Sequence, residues 1–88
     1  MNHSTVVMYA TSACPFCVAA RSLLQSKSVR WTEIPVDQQR EKRSEMMQRS
    51  GRHTVPQIFI GDHHVGGFDD LNQLEQRGEL DRLLADGK

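Results

Sequence analysis

Two cysteines lie three residues apart in the segment Cys14-Pro15-Phe16-Cys17, and they are the only cysteines of the chain. Two thiols at this spacing can close and open a disulfide. On a helix, positions i and i+3 face the same way with Cβ atoms about 5 to 6 Å apart, so a small local adjustment reaches the roughly 3.5 to 4.5 Å that a disulfide needs. The pair therefore predicts thiol–disulfide exchange.

Cys14 is expected to carry a thiolate because of where the neighbouring elements place it. The apolar run Val6 to Tyr9 predicts a strand, and a helix that begins at the cysteine motif puts Cys14 at its N-terminus. Unpaired N–H groups and the helix dipole favour an anion at that position, and here the anion would be a thiolate. Pro15 fits, since the first helical turn needs no N–H there.

Length and composition limit the fold and the partners. With 88 residues, of which 38% are hydrophobic, the chain is expected to form a single domain, 1–88, around one small core. Its formal net charge of zero gives no support to a nucleic-acid partner. Residues 1–8 lack a basic n-region, and no segment resembles a signal or a membrane span. We therefore expect a cytoplasmic monomer without a membrane partner, and in a reducing compartment a lone cysteine pair is more often catalytic or metal-binding than structural.

The predicted elements alternate between strand and helix before a closing hairpin and helix. Pro35 places the second strand near a sheet edge, Gly51 ends the second helix, and Met46 and Met47 are the expected buried residues of that helix. The first half is predicted to contain strands at Thr5–Tyr9 and Arg30–Val36 and helices at Cys17–Lys27 and Arg40–Ser50. A hairpin follows, with strands at Gln57–Ile60 and His63–Val65 and a turn at Gly61-Asp62. The chain then forms a helix near Asp69–Gln76 that buries Leu71 and Leu74, and a short helical segment with Leu80, Leu83 and Leu84 before a polar tail.

This order, with Cys-Pro-Phe-Cys after the first strand and Thr54-Val55-Pro56 before the third, resembles the thioredoxin superfamily and specifically the small bacterial-type dithiol glutaredoxins. Thr54–Ile60 and Gly66–Leu71 stand at the order and spacing of that family, so the resemblance covers nearly the whole chain. It implies an α/β, thioredoxin-like fold with a mixed four-stranded sheet flanked by helices. It also implies that Pro56 is cis and that its loop faces the cysteine pair.

The resemblance implies a glutathione-dependent thiol–disulfide oxidoreductase that reduces protein disulfides and glutathione mixed disulfides, with glutathione as reductant and no metal. Cys14 would attack the substrate disulfide, and Cys17 would resolve mixed disulfides formed with proteins. In the implied groove, the backbone of Val55 pairs with the tripeptide, a helix N-terminus binds its γ-glutamyl carboxylate, and Asp70 offsets its ammonium group. The implied groove residues are Phe16, Thr54, Val55, Pro56, Gly67, Phe68, Asp69 and Asp70.

Two positions depart from the family pattern. Thr11 stands where relatives often carry a lysine, which is expected to weaken both the stabilisation of the thiolate and the binding of the glycyl carboxylate of glutathione. Phe16 replaces the usual tyrosine, so it keeps an apolar wall but removes a hydroxyl. The residues that could compensate for Thr11 are Arg40 and Gln39, and less favourably Arg49 and Arg52.

Simpler interpretations of single motifs remain open. The cysteines could be half of a zinc site completed by His53, His63 or His64. Asp69 and Asp70 could act only as helix caps, and Gly66-Gly67 could serve only to permit unusual dihedral angles. The basic residues of the second helix are expected to form a solvated face, Trp31 to pack in the core or at an edge, and His63-His64 to form an exposed hairpin.

Two other functions compete with a glutathione-dependent enzyme. One is a redoxin supplied by thioredoxin reductase and serving ribonucleotide reductase, against which the segment Gly66 to Asp70 argues. The other is a binding module in which two chains bridge an iron–sulfur cluster through Cys14 and glutathione. Pro15 argues against that function by analogy with cluster-binding relatives, which usually carry other residues there.

Overall fold

The computed structural model describes residues 5–85, so the expectations for the first residues and for the polar tail lie outside the described part in 1–4 and 86–88. Every predicted element between them is present, with boundaries that differ by a few residues. The elements are β1 (Val6–Ala10), α1 (Pro15–Ser26), β2 (Thr32–Pro35), α2 (Arg40–Ser50), β3 (Gln57–Ile60), β4 (His63–Gly66), α3 (Phe68–Gln76) and α4 (Leu80–Ala85).

The four strands form one mixed sheet in the order β2-β1-β3-β4. β1 and β2 run parallel, whereas β1–β3 and β3–β4 are antiparallel. Pro35 lies on edge strand β2, where the N–H that proline lacks is not needed to pair with a further strand. The predicted mixed sheet is therefore confirmed, and it brings the chain after β1 and the chain before β3 to one end of two neighbouring strands.

Both faces of the sheet are buried, because successive side chains of a strand point to opposite faces. One core contains alternate residues of β1 and β3 together with residues of α1, α3 and α4. Its buried members are Val6, Met8, Ala10, Cys17, Ala20, Leu24, Ile58, Ile60, Val65, Leu71, Leu80 and Leu84. The intervening residues Tyr9 and Phe59 pack on the other face with Val36 and with Met46 of α2. Helices thus cover the sheet on both sides.

Helix α1 begins as the cysteine motif predicts. Cys14 is its N-cap and Pro15 its first helical residue. The buried face repeats at Cys17, Ala20 and Leu24, which is the spacing of one side of a helix. Packing of this face against the sheet fixes the position of the helix and, with it, the position of Cys14.

Helix α2 ends at Gly51, which adopts the left-handed conformation (φ 71°) and donates its N–H to Met47 O over 2.9 Å. This helix corrects one prediction. Met46 is fully buried, but Met47 is 39% exposed, because it lies about 100° further round a helix that packs on the sheet along a narrow stripe. No helix within residues 5–85 is long and apolar enough to cross a membrane.

Candidate active site

The two cysteines lie at the N-terminus of α1 as free thiols. The Cys17 backbone N–H donates to Cys14 Sγ over 3.2 Å, and Cys14 Sγ is 3.7 Å from Val55 O. The start of the helix therefore places a backbone N–H donor against the Cys14 sulfur. Cys14 is half-buried and Cys17 is fully buried. The outer cysteine can therefore reach a substrate, while the inner cysteine can reach only the outer one.

Burial, followed by a hydrogen bond to Cys14, raises the pKa of Cys17 to about 12, although a backbone hydrogen bond involving Thr11 partly opposes the rise. Cys17 therefore keeps its proton near neutral pH while Cys14 is reduced. Once Cys14 enters a disulfide, it loses its charge and its hydrogen bond with the Cys17 thiol. Two of the causes that raise the pKa of Cys17 are then removed. The pair therefore consists of an outer, half-buried sulfur and an inner, buried sulfur whose pKa depends on the state of the first.

A cation that the sequence analysis did not single out lies behind the cysteines. Arg21, one turn after Cys17, donates to Thr11 O over 3.2 Å, and its charge acts on both thiols. Glu33 of edge strand β2 holds the guanidinium at 2.6 Å and so offsets part of that charge. Arg21 therefore occupies the neighbourhood of Thr11, where relatives often have a lysine. Its i+4 spacing from Cys17 was the available signal.

A groove of about 330 Å³ opens beside the cysteine pair. It brings together all of the predicted groove residues, although they come from three separate parts of the chain. They are Phe16 from α1, Thr54, Val55 and Pro56 from the segment before β3, and Gly67, Phe68, Asp69 and Asp70 from the start of α3. The Val55–Pro56 peptide bond is cis, as the resemblance implies. Since Val55 contacts Cys14 and also lines the groove, Cys14 lies at the edge of this cavity.

Arg52 also lines the groove, and it was only a minor candidate from the sequence. Its Nη1 donates to Asp70 Oδ2 over 3.1 Å. The other minor candidate, Arg49, lies elsewhere: it donates to Tyr9 Oη and its guanidinium lies 4.1 Å from the centroid of the Phe59 ring. The first candidates, Arg40 and Gln39, lie at the start of α2 and do not line the groove.

The start of α3 is held by Asp70, which combines a structural contact with a place in the groove. Its carboxylate accepts from the Gly67 N–H over 3.0 Å and so caps the helix. Burial opposes its ionisation, but the hydrogen bonds from Gly67 and Arg52 outweigh that effect and lower the pKa of Asp70. Gly66, with φ of 115°, leaves the space that this carboxylate occupies. Capping and placement of negative charge in the groove therefore coexist.

The positions of the histidines do not support the interpretation of the cysteines as half of a zinc site. His53 and His63 are exposed. His64 was expected in an exposed hairpin, but it is half-buried, because it stacks on Phe59 and bonds to the buried Gln57. In the part of the chain from 5 to 85, no three His, Cys, Asp or Glu side chains cluster closely enough to hold a metal ion.

Comparison with known proteins assigns the chain to a family. The family model for glutaredoxin matches residues 6–65, which include both cysteines and the groove residues from Phe16 to Pro56. The chain belongs to the glutaredoxin family. Membership supports thiol–disulfide oxidoreduction as the activity of the chain, and it agrees with the thioredoxin-like fold.

Individual relatives agree with this assignment over almost the full length. Glutaredoxin 3 of Escherichia coli K12 is 52% identical over 81 residues, which cover 92% of this chain and 98% of that protein. The solution structure of glutaredoxin from Brucella melitensis is 48% identical with a TM-score of 0.87 and covers 100% of this chain and 96% of that one. A buckwheat glutaredoxin–glutathione complex, 27% identical, gives a TM-score of 0.85 over 92% of this chain and 76% of that chain.

Proposed function

We propose that this member of the family reduces glutathione mixed disulfides and protein disulfides with glutathione as its reductant. The observation that carries the proposal is the groove beside Cys14, lined by every residue that the resemblance assigns to glutathione binding. The similarity to a glutaredoxin that forms a complex with glutathione supports it further. That these residues bind glutathione in this chain is itself part of the proposal.

The reduction of a glutathionylated substrate needs only Cys14. Its thiolate attacks the glutathione sulfur, the substrate–glutathione S–S bond breaks, and the substrate leaves as a thiolate that takes up a proton. A new disulfide then joins Cys14 to glutathione. A second glutathione thiolate attacks that glutathione sulfur, so oxidised glutathione leaves and the Cys14 thiolate returns. One reduced glutathione is thus consumed for each substrate thiol released, and the disulfide passes to oxidised glutathione.

The reduction of a protein disulfide also uses Cys17. Attack by Cys14 forms a mixed disulfide with one protein sulfur and releases the other. This removes the charge on Cys14, and with it part of the cause that keeps the pKa of Cys17 high. Cys17 then attacks Cys14, the protein leaves reduced, and an intramolecular disulfide forms. Two glutathione molecules restore the dithiol and become oxidised glutathione.

The charges around the groove suit the ends of the tripeptide. Glutathione carries two carboxylates and one ammonium group. The first helical residues of α3, Phe68 and Asp69, offer backbone N–H groups to the γ-glutamyl carboxylate, and Asp70 offers a carboxylate to the ammonium. Arg52 supplies positive charge at the groove wall, and Val55 lines the groove where its backbone would pair with the peptide in β fashion. Phe16 forms an apolar wall.

We propose that the chain is a cytoplasmic monomer folded as one domain, with ribonucleotide reductase among its protein substrates. Free cysteines are maintained in a reducing compartment. The exposed large hydrophobic residues of the described chain are Phe16, Val18 and Met47. Phe16 and Val18 flank the cysteine pair, which suits brief contact with disulfide substrates better than a permanent dimer.

The test is turnover of a glutathionylated peptide by the pure protein with two alternative electron sources. One reaction contains glutathione, glutathione reductase and NADPH, and the other contains thioredoxin reductase and NADPH. We expect turnover in the first, and none with the Cys14→Ser variant as matched control. Turnover in the second reaction alone would contradict the proposal and favour the thioredoxin-reductase alternative. Inactivity in both, with visible absorbance after anaerobic purification, would favour the cluster-binding alternative.

A further inference from the structure

Gln57 is the first residue of β3, and its polar side chain is fully buried. Its amide joins two parts of the chain. Nε2 donates to Thr54 O over 3.1 Å and to Thr54 Oγ1 over 3.2 Å, and Oε1 lies 2.8 Å from His64 Nε2. Within residues 5–85 no buried side-chain nitrogen or oxygen lacks a partner, so these three bonds complete the local network.

The donors and acceptors fix the direction of this chain of bonds. Thr54 O is a carbonyl and can only accept, so the Gln57 NH₂ must face it and Oε1 must face His64. His64 therefore has to present Nε2–H to Gln57. Burial, followed by the charge of Arg52, lowers the pKa of His64, which favours the neutral ring with a single N–H. The bond to Gln57 selects the Nε2–H tautomer of that ring.

His64 is itself held in place by the sheet. It lies on β4 opposite Phe59, and the two rings stack with centroids 4.8 Å apart and planes inclined by 29°. Phe59 belongs to the buried core on the α2 face. A series of contacts therefore connects the core to the loop: Phe59 stacks on His64, His64 bonds to the Gln57 amide, and Gln57 bonds to Thr54.

Thr54 is the residue before Val55 and Pro56, and all three line the groove. Val55 also touches Cys14 through its carbonyl. We propose that His64 is a positioning residue for the glutathione reaction: through Gln57 it holds the backbone of residues 54–56 where glutathione pairs with it. His64 does not line the groove, so it acts without touching the ligand. This inference rests on the proposed function.

Replacing His64 with phenylalanine keeps a ring against Phe59 but removes the donor, which leaves Gln57 Oε1 buried and unpaired. His64→Gln restores an N–H donor at nearly the same reach. His63→Ala, in the same hairpin but exposed, is the matched control. Gln57→Met breaks the chain of bonds at its next link while nearly conserving volume, and it provides a second test should His64→Phe fold poorly.

Two rates separate positioning from mere stability. We expect His64→Phe and Gln57→Met to lower kcat/KM for a glutathionylated peptide about tenfold, mainly through KM, which corresponds to about 1.4 kcal/mol. Alkylation of Cys14 by iodoacetamide, which does not use the groove, should change less than about twofold. His64→Gln should recover most of the activity, and His63→Ala should match the parent protein.

Each other outcome contradicts the inference. Normal kcat/KM in the folded His64→Phe and Gln57→Met variants would show that Thr54 keeps its place without the chain of bonds. An equal fall in kcat/KM and in the rate of Cys14 alkylation, or no recovery of activity with His64→Gln, would show that His64 only stabilises the fold. Failure of the parent protein to turn over with glutathione is a different result, because it would contradict the proposed function before any variant is compared.

Discussion

Replacing Gly66 with alanine tests how tightly the Asp70 carboxylate packs against Gly66 at the start of α3. Gly66 has φ of 115°, which L-residues with a Cβ rarely adopt. A Cβ built there meets the carboxylate of Asp70, with Cγ at 2.9 Å, and it lies 3.1 Å from Arg52 Nη1. The alanine therefore has an unfavourable backbone conformation and also displaces the group that caps α3.

The expected loss of stability is the sum of these two effects. A non-glycine residue at such a backbone conformation costs about 1 to 2 kcal/mol. Loss of the Asp70 cap adds about 0.5 to 2 kcal/mol. The Arg52–Asp70 ion pair adds little, since its side chains are 49% and 42% exposed. Gly66→Ala should therefore lower the free energy of unfolding by about 1.5 to 4 kcal/mol.

Gly51→Ala is the matched control, because Gly51 also has positive φ but its Cβ would meet nothing within 4 Å. Only the backbone cost of about 1 to 2 kcal/mol applies there. Urea unfolding measures both losses, and a second comparison repeats Gly66→Ala in an Asp70→Ala background. In that background the cost of Gly66→Ala should fall to that of Gly51→Ala. Equal losses at the two glycines, or an undiminished loss without Asp70, would refute the reasoning.

Three further predictions concern the cysteines and one ion pair. Iodoacetamide at pH 8 should label Cys14 in the folded protein and leave Cys17 unlabelled until urea is added, because Cys17 is buried with a pKa of about 12; peptide mapping that finds label on folded Cys17 would contradict this. Cys17→Ser should keep turnover of a glutathionylated peptide and lose most turnover of a protein disulfide, and equal losses on the two substrates would argue against a resolving function. The hydrogen bond from Arg21 lowers the pKa of Glu33 in the folded state. The ionised carboxylate therefore stabilises the fold at pH values above its ordinary pKa of about 4.3, and this stabilisation is lost as the pH falls through the lowered pKa. The fall in the urea midpoint between pH 7 and pH 3 should accordingly be smaller in Glu33→Gln than in the parent, and an equal fall would contradict it.

The parts of the fold that the sequence predicts are those governed by local pattern. Pro15 at the first turn of α1, the apolar run that forms β1 and Gly51 at the end of α2 each have a short-range cause, and the structure contains all of them. The gathering of the groove residues followed from the resemblance, since nothing local joins Phe16 to Pro56. The burial of Met47 was a wrong prediction, because a charged helix shows too little periodicity to locate its inner face.

The missed residues act through contacts between distant segments. Arg52 reaches Asp70 across 18 residues, and His64 bonds to a side chain seven residues away on the neighbouring strand. Arg21 lies near Cys17 by helical spacing, but it meets Thr11 O and Glu33 of β2 only because α1 packs over the end of β1. A charged or imidazole side chain has no sequence signal for such partners, since they depend on the register of the sheet.

The central claim is that Cys14 exchanges glutathione in this groove, and trapping the mixed disulfide tests it most directly. Cys17→Ser and Cys14→Ser would each be incubated with oxidised glutathione at neutral pH, and the intact proteins weighed by mass spectrometry. We expect one glutathione on the Cys17→Ser protein, removed again by reduced glutathione, and none on the folded Cys14→Ser protein, whose remaining thiol is buried. An adduct on Cys14→Ser with none on Cys17→Ser would contradict the assignment of the nucleophile, and no adduct on either would contradict glutathione as the partner of this site.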